Sequence, residues 1–343
     1  MKTLAVVLAA LLVAGAAAAG IAGWRFATWT RAPYGAAGER VVEVTAGETL
    51  AELGSALQAS GSVDDGFRFY LLGRLRHAQQ RLKRGEYAFD GPLTPEQVLA
   101  HLLSGKVKTY RITVPEGLRM DEIAPLFARE GVADGPALLA AMRDPELMKK
   151  LSVPGRNAEG FLFPDTYVLP KGRKPASIVG EMVHHFQEAY ARVRAEPGAD
   201  PSLNELQAVT LASIVEKETG AASERPHISC VFHNRLKRGM RLQTDPTVIY
   251  AVLLAQGHFD GNLTKQMLLT PHPYNTYTTA GLPPGPISNP GLAAFEAALH
   301  PMVCKDLYFV ARGDGTSVFC PDLSCQNKNV EHYQIEPFKH ARR

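Results

Sequence analysis

The stretch VVEVTAGETLAELGSALQASG, residues 41–61, changes its hydrophobic period partway along. Val42 and Val44 alternate with polar neighbours, as in a strand with one buried face. Gly47 interrupts the run, and Leu50, Leu53 and Leu57 then recur at helical spacing. The segment predicts a strand, a turn and a helix. The same grammar returns 70 positions later in ITVPEGLRMDEIAPLFAREG, residues 112–131. There Val114, Gly117, Met120, Ile123, Phe127 and Gly131 stand where Val44, Gly47, Leu50, Leu53, Leu57 and Gly61 stood. The pattern reads as two strand–turn–helix units, by duplication or by the grammar that amphipathic units share.

Working outward, a helix is expected over residues 67–82, a strand at GEYAF (residues 85–89), and a helix opened by Thr94 with Gln97 three positions on, a capping box. A long amphipathic helix is expected over residues 176–195. A second capping pair, Ser202 with Glu205, starts another near Pro201. Strands and helices in this order describe an α+β chain.

The chain has 343 residues, 45% of them hydrophobic and 21% charged, which is room for two or three domains with real cores. A formal net charge of +3 is too small to argue for nucleic acid, and no nucleic-acid-binding signature is present. Residues 4–24 carry no charge. About twenty such residues in a helix span roughly 30 Å, the thickness of a hydrocarbon core. A cleaved signal peptide is the competing reading, but its apolar core is usually only about 7–15 residues long. A retained anchor at residues 1–25 is therefore expected, with the polar mass exported. Residues 26–40, broken by Pro33, Gly35 and Gly38, read as a linker.

Four cysteines, Cys230, Cys304, Cys320 and Cys325, follow the anchor. Cys320 and Cys325 are close enough in sequence to pair in an exported chain. Cys230 sits in an apolar helical pattern and reads as a buried thiol. No CxxC or histidine spacing argues for a metal. No GxSxG elbow, phosphate loop or dinucleotide fingerprint is present, so no cofactor is expected.

LASIVEKETGAAS, residues 211–223, ends an apolar run with two glutamates. With Glu218 at zero on a helical wheel, Leu211 falls at about +20°, Ile214 at about −40° and Val215 at about +60°. Glu218 thus lies in the apolar stripe, while Glu216, at about 160°, is expected in solvent. Burial and the negative end of the helix dipole both favour a neutral Glu218, the form a general acid needs. The bland alternative is a helix-end acid that swings to solvent or pairs with Arg225 or Arg235. Gln243, Asp245 and Thr247 in RLQTDPTVIY, and Asn275 and Tyr277 in a long irregular loop, are candidates for substrate binding or for a supporting structural role. Asp245 also reads as a helix N-cap, with Pro246 at the first helical position.

LASIVEKET, RLQTDPTVIY, NTYTTAGLPPGPISNPG and LYFVA, in this order behind an apolar N-terminus, resemble the endolytic murein transglycosylase family, MltG (YceG-like). The resemblance implies a LysM-like peptidoglycan-binding module at residues 41–110 and a transglycosylase catalytic domain at residues 111–343, with 111–158 as a connecting β/α subdomain. It implies a lyase on the outer face of a bacterial inner membrane, with peptidoglycan glycan strands as substrate and peptidoglycan synthases as candidate partners. Such an enzyme cleaves between N-acetylmuramic acid and N-acetylglucosamine and leaves a 1,6-anhydro end, and the family's catalytic glutamate falls on Glu218. Thr219 matches the hydroxyl residue that often follows that glutamate. A catalytically silent glycan-binding scaffold and an ordinary hydrolytic muramidase are the alternatives.

Overall fold

The apolar N-terminal run is helical past its expected end. In this computed structural model, which describes residues 2–218 and 221–336, α1 spans Lys2–Trp29. Its Val6–Trp29 part is long and apolar enough to cross a membrane. Helix replaces the expected linker from Phe26 to Trp29 because these aromatics pack into a core. Trp29 is only 7% exposed and its indole donates to Asp64 Oδ1 at 2.6 Å. The residues that follow are also tied down, with Tyr34 and Leu93 exchanging backbone hydrogen bonds of 2.9 and 3.0 Å.

The chain divides into two units, Met1–Tyr110 with Val168–Gly172, and Arg111–Tyr167 with Arg173–Arg343. In the first, β1 (Glu39–Val44) pairs antiparallel with β2 (Gly85–Asp90), Val42 facing Tyr87. Between them run α2 (Leu50–Ala59) and α3 (Gly66–Leu75), and α4 (Pro95–Ser104) follows β2. The alternation seen in the sequence is the burial pattern: Val42 and Val44 point inward and meet Leu50, Leu53 and Leu57 of α2 and Val98 and Leu102 of α4. Thr49 with Glu52 and Thr94 with Gln97 form capping boxes that open α2 and α4. The helix expected to reach residue 82 stops at Leu75. His77 adopts a left-handed φ of 51° and Ala78 turns into the core.

β3 (Tyr110–Thr113) begins at the last residue before the second unit and leads within it into α5 (Met120–Arg129). The equivalence with the first repeat is structural. Val44 and Val114, Leu50 and Met120, Leu53 and Ile123, and Leu57 and Phe127 are all buried. Gly47 (φ 84°) and Gly117 (φ 75°) make the same left-handed turn, which a side chain would strain. Then come α6 (Gly135–Met142), α7 (Pro145–Lys150), β4 (Thr166–Leu169), whose last two residues count with the first unit, and the long α8 (Pro175–Ala195). Next, α9 (Glu205–Glu218) is the hub, packed against α10 (Arg225–Lys237), α11 (Asp245–Gln256) and α13 (Leu292–Leu299). Its residues from Ala208 to Val215 are all buried. The remaining elements are the short α12 (Lys265–Leu269), the antiparallel pair β5 (Tyr308–Ala311) and β6 (Ser317–Cys320), and α14 (Leu323–Val330).

Two disulfides lie in this unit, Cys230–Cys304 and Cys320–Cys325. The second matches the pairing that proximity allowed. The first corrects the reading of Cys230 as a buried thiol: α10 presents it to a partner 74 residues away, a separation the sequence gives no means to bridge.

Candidate active site

The helix that carries both glutamates begins later than its composition implied. Asn204 and Gln207 cap it reciprocally, at 3.0 and 2.9 Å, while Ser202 gives its amide to Asp200 Oδ1. Asn204 supplies a better acceptor at the right offset, so the Ser202–Glu205 pair does not form the cap.

Glu216 is not in solvent. Its carboxylate accepts from Arg225 Nη2 at 2.9 Å and from the Gly291 amide at 3.1 Å, at the start of α13. Its side chain is 7% exposed. A wheel assumes one wet face, and α9 has neighbours on nearly every side. Arg225, one of the two expected partners of Glu218, therefore belongs to Glu216.

Glu218 closes α9 with intermediate exposure. Burial raises its carboxyl to about 7. The Asp245 charge adds to the rise, whereas the Thr244 hydroxyl and the Arg235 guanidinium oppose it. The last-turn carbonyls of α9 act in the same direction as burial, because they repel a carboxylate. The Thr244 hydroxyl is buried without a complete hydrogen bond of its own, so it is free to serve Glu218. Thr219 and Gly220 lie outside the described residues.

The segment from Arg241 to Asp245 builds the wall beside Glu218. Leu242 and Thr244 point inward, while Arg241, Gln243 and Asp245 are exposed. Gln243 holds a left-handed φ of 50°, uncommon for a residue with a side chain and typical of places where function imposes the backbone. Its amide reaches Thr276 O at 3.2 Å. Thr244, not Asp245, is the N-cap of α11, and it makes no side-chain cap; Asp245 and Pro246 occupy the first turn. Asp245 is thereby released to accept the Tyr277 phenol at 2.6 Å.

Thr247 and Asn275 are buried and spend their polar atoms on the frame. Thr247 Oγ1 donates to Thr244 O at 2.7 Å and meets Thr276 Oγ1 at 2.8 Å. Asn275 Nδ2 faces the carbonyls of Met267, Leu268 and Thr270, and its Oδ1 accepts the Tyr277 amide. The long loop is thus folded around one amide side chain. Of the sequence candidates, Glu218, Asp245 and Tyr277 form one electrostatic group, Gln243 flanks it, and Thr247 and Asn275 support it.

Two further residues bear on the site: Arg235, the other partner expected for Glu218, and Glu159, which sequence reasoning did not single out. Arg235 is buried on α10, donating to Leu307 O at 2.6 Å and Leu242 O at 2.5 Å. Its cation acts on Glu218. An arginine inside the apolar pattern of α10 was the available signal. Glu159 is 2% exposed and accepts from the Met120 amide at 3.1 Å, Asn289 Nδ2 at 2.9 Å and Tyr250 OH at 3.3 Å. Burial pushes it up to about 8. It lines a separate cavity of about 490 Å³ with Arg156, His272 and Tyr274. Among the described residues, His227, Cys304 and Asp306 have metal-ligand proximity, but Cys304 is spent in a disulfide and His227 pairs with Asp306 at 2.7 Å.

The model of the YceG-like family matches residues 42–332. The endolytic murein transglycosylase of Bacillus subtilis is 30% identical over 311 residues, covering 85% of this chain and 84% of the relative. A protein of the same name from Streptococcus pneumoniae is 29% identical, and the alignment covers 94% of this chain but 63% of that protein's length. A crystal structure of a yceG-like protein from Listeria monocytogenes superposes with a TM-score of 0.57 at 31% identity, covering 86% of this chain and all of that one.

Proposed function

The chain belongs to the YceG-like family, and from that premise we propose that it is a peptidoglycan-cleaving transglycosylase, a lyase in which Glu218 is both acid and base. The observation that carries the assignment is a partly accessible carboxyl held up to about 7 at the end of α9, beside a buried arginine and the Thr244 hydroxyl. A group of that pKa gives and retakes a proton near neutral pH.

The reaction needs one such group. Glu218 passes its proton to the glycosidic oxygen between N-acetylmuramic acid and N-acetylglucosamine as the C1–O bond breaks. The carboxylate then takes the proton of the muramic acid 6-hydroxyl as that oxygen bonds to C1 of the same ring. One bond breaks, one forms, no water is consumed, and the product carries a 1,6-anhydro end. Arg235 steadies the carboxylate formed midway. Gln243 and Asp245, exposed on the wall, contact the sugars. Tyr277 holds Asp245, and Thr247 and Asn275 keep the wall and loop in shape.

The layout follows the same reading. Residues 1–25 anchor the chain in the bacterial inner membrane, residues 41–110 form a LysM-like glycan-binding module, and residues 111–343 cut the strand outside the cytoplasm. The strand–helix–helix–strand order of β1, α2, α3 and β2 supports the module, and the length of α1 supports the anchor.

The test is product mass from un-nicked glycan strands with the detergent-purified full chain. Wild type should release fragments one water lighter than reducing-end products. Glu218→Gln should release none while keeping the wild-type far-UV spectrum. Retained turnover removes Glu218 from the role, and products with reducing ends make the enzyme a hydrolase.

A further inference from the structure

A surface helix of a small domain normally has one apolar face. α3 has two. Phe69 and Leu72 enter the core of the first unit. Phe67, Leu71 and Leu75, spaced four apart and so stacked on one stripe, point outward. They are 68%, 37% and 67% exposed. Arg68 and Arg74 border the stripe at about +100° and about −20° from Phe67. Arg74 also lies over the Tyr70 ring at 6.0 Å, and the Tyr70 and Phe67 rings stack at 6.1 Å. Acidic groups are near too, but both are engaged. Asp65 caps α3 and pairs with Arg68 at 3.2 Å, and Asp64 takes the Trp29 indole.

What this stripe faces is fixed by α1. A groove of about 810 Å³ is lined on one side by Ala22, Gly23, Arg25 and Phe26 of α1 and on the other by α3. α1 runs without a break from the apolar span into the core, where Trp29 is buried. Trp24, 68% exposed, lies five residues before Trp29, about 7.5 Å along the axis. A tryptophan followed by an arginine at the end of an apolar span marks the level of the lipid headgroups. No flexible segment separates that level from the module, so α3 is carried to the same level.

We propose that the Phe67–Leu71–Leu75 face of α3, with Arg25, Arg68 and Arg74, seats the first unit on an anionic phospholipid surface. The proposal rests on the reading of α1 as a membrane span. The apolar stripe enters the boundary between headgroups and acyl chains, and the guanidiniums meet lipid phosphates, as in an interfacial amphipathic helix. The module is then held flat against the bilayer.

The test uses the full chain in nanodiscs of phosphatidylglycerol or phosphatidylcholine. All four native cysteines are in disulfides, so one introduced cysteine takes a fluorophore selectively. Labels go on Leu75→Cys in α3, Leu11→Cys in α1 and Ser55→Cys on the exposed side of α2. Nitroxide lipids labelled near the headgroup should quench the Leu75→Cys probe strongly in phosphatidylglycerol and leave Ser55→Cys bright. Nitroxide at mid-chain should quench Leu11→Cys. Adding Arg68→Gln and Arg74→Gln should lower the ratio of seated to unseated module about 30-fold in phosphatidylglycerol, at the usual strength of an arginine near such a surface. Quenching at Leu11→Cys with none at Leu75→Cys overturns the seating while leaving the span intact. No quenching at Leu11→Cys overturns the span, and the seating with it. Equal quenching of Leu75→Cys in both lipids overturns the anionic assignment.

Discussion

Tyr277 donates its phenol to Asp245 Oδ1 at 2.6 Å, which pins a carboxylate one residue from the hydroxyl that serves Glu218. The Asp245 charge raises Glu218, so its removal should let Glu218 ionise more easily. The acid must be protonated to act, and activity is lost as pH rises through its pKa. Asp245→Asn should therefore move the alkaline limb of the pH–activity profile to lower pH. Release of anhydro-ended fragments, followed from about pH 5 to about pH 9, measures it. A limb that stays in place, or moves up, contradicts the electrostatic link.

Glu159 makes a second pH-dependent contribution, to stability. Its carboxyl stands at about 8 in the folded chain against the ordinary 4.5. Between those values the folded state holds a proton that the unfolded chain has released. Stability therefore falls as pH rises through that window and levels off above it. The full effect is on the order of a few kcal/mol. Glu159→Gln keeps an oxygen for the Met120 amide and Asn289, and presents an NH2 to Tyr250. It should fold, and its melting temperature should fall less between about pH 5 and about pH 8 than that of wild type. Glu218 has the same sign and retains its share of the slope. An unchanged slope in Glu159→Gln would mean that the buried acid is ionised in both states.

What the sequence made legible was local. Val44, Gly47 and Leu50 announce strand, turn and helix because each acts through its own backbone or its own face, and Val114, Gly117 and Met120 repeat the message. Glu218 was legible because its neighbours at three and seven residues back are apolar. Glu216 was misread because the wheel carries no information about Gly291 and Arg225, which reach it from 75 and 9 residues away. Glu159 and the partner of Cys230 were hidden for the same reason: their significance is a contact across the fold. The loop around Asn275 was visible as irregular, but not as a set of carbonyls gathered by one amide.

The two disulfides should differ in weight. Cys230–Cys304 closes a segment of 74 residues and Cys320–Cys325 one of 5. Loop-closure entropy gives about 4 kcal/mol for the first and about 2 kcal/mol for the second. The first also clamps the segment that Arg235 and Asn234 hold, through Leu307 O, Cys304 O and Asp306 O. Cys230→Ser with Cys304→Ser should lower both the melting temperature and the turnover. Cys320→Ser with Cys325→Ser should lower the melting temperature less. Calorimetry and fragment release on the two double variants decide it, and the reverse order would show that local strain, not loop length, sets the contribution.

Glu216 and Glu218 of α9 should respond oppositely to loss of charge. Glu216 is half of a buried ion pair, and it also receives the first amide of α13. Arg225 is 13% exposed and its Nε has no partner, but its Nη2 also lies 3.6 Å from Glu116 Oε2. Glu216→Ala leaves that cation to the longer Glu116 contact and strips a partner from the Gly291 amide, and should destabilise by up to about 3 kcal/mol. Glu218 is held in the state its surroundings tolerate, which is the neutral one at and below pH 7. Glu218→Gln makes that neutrality permanent, and above about pH 7 it should stabilise the fold slightly. Chemical denaturation of both variants at about pH 8, set beside their activity, separates the cases. One should lose stability, and activity only in proportion to unfolding. The other should lose activity entirely while standing as firm as wild type or firmer. If Glu218→Gln is the less stable of the two, its carboxylate is bonded and charged in the native state, and it has no proton to give.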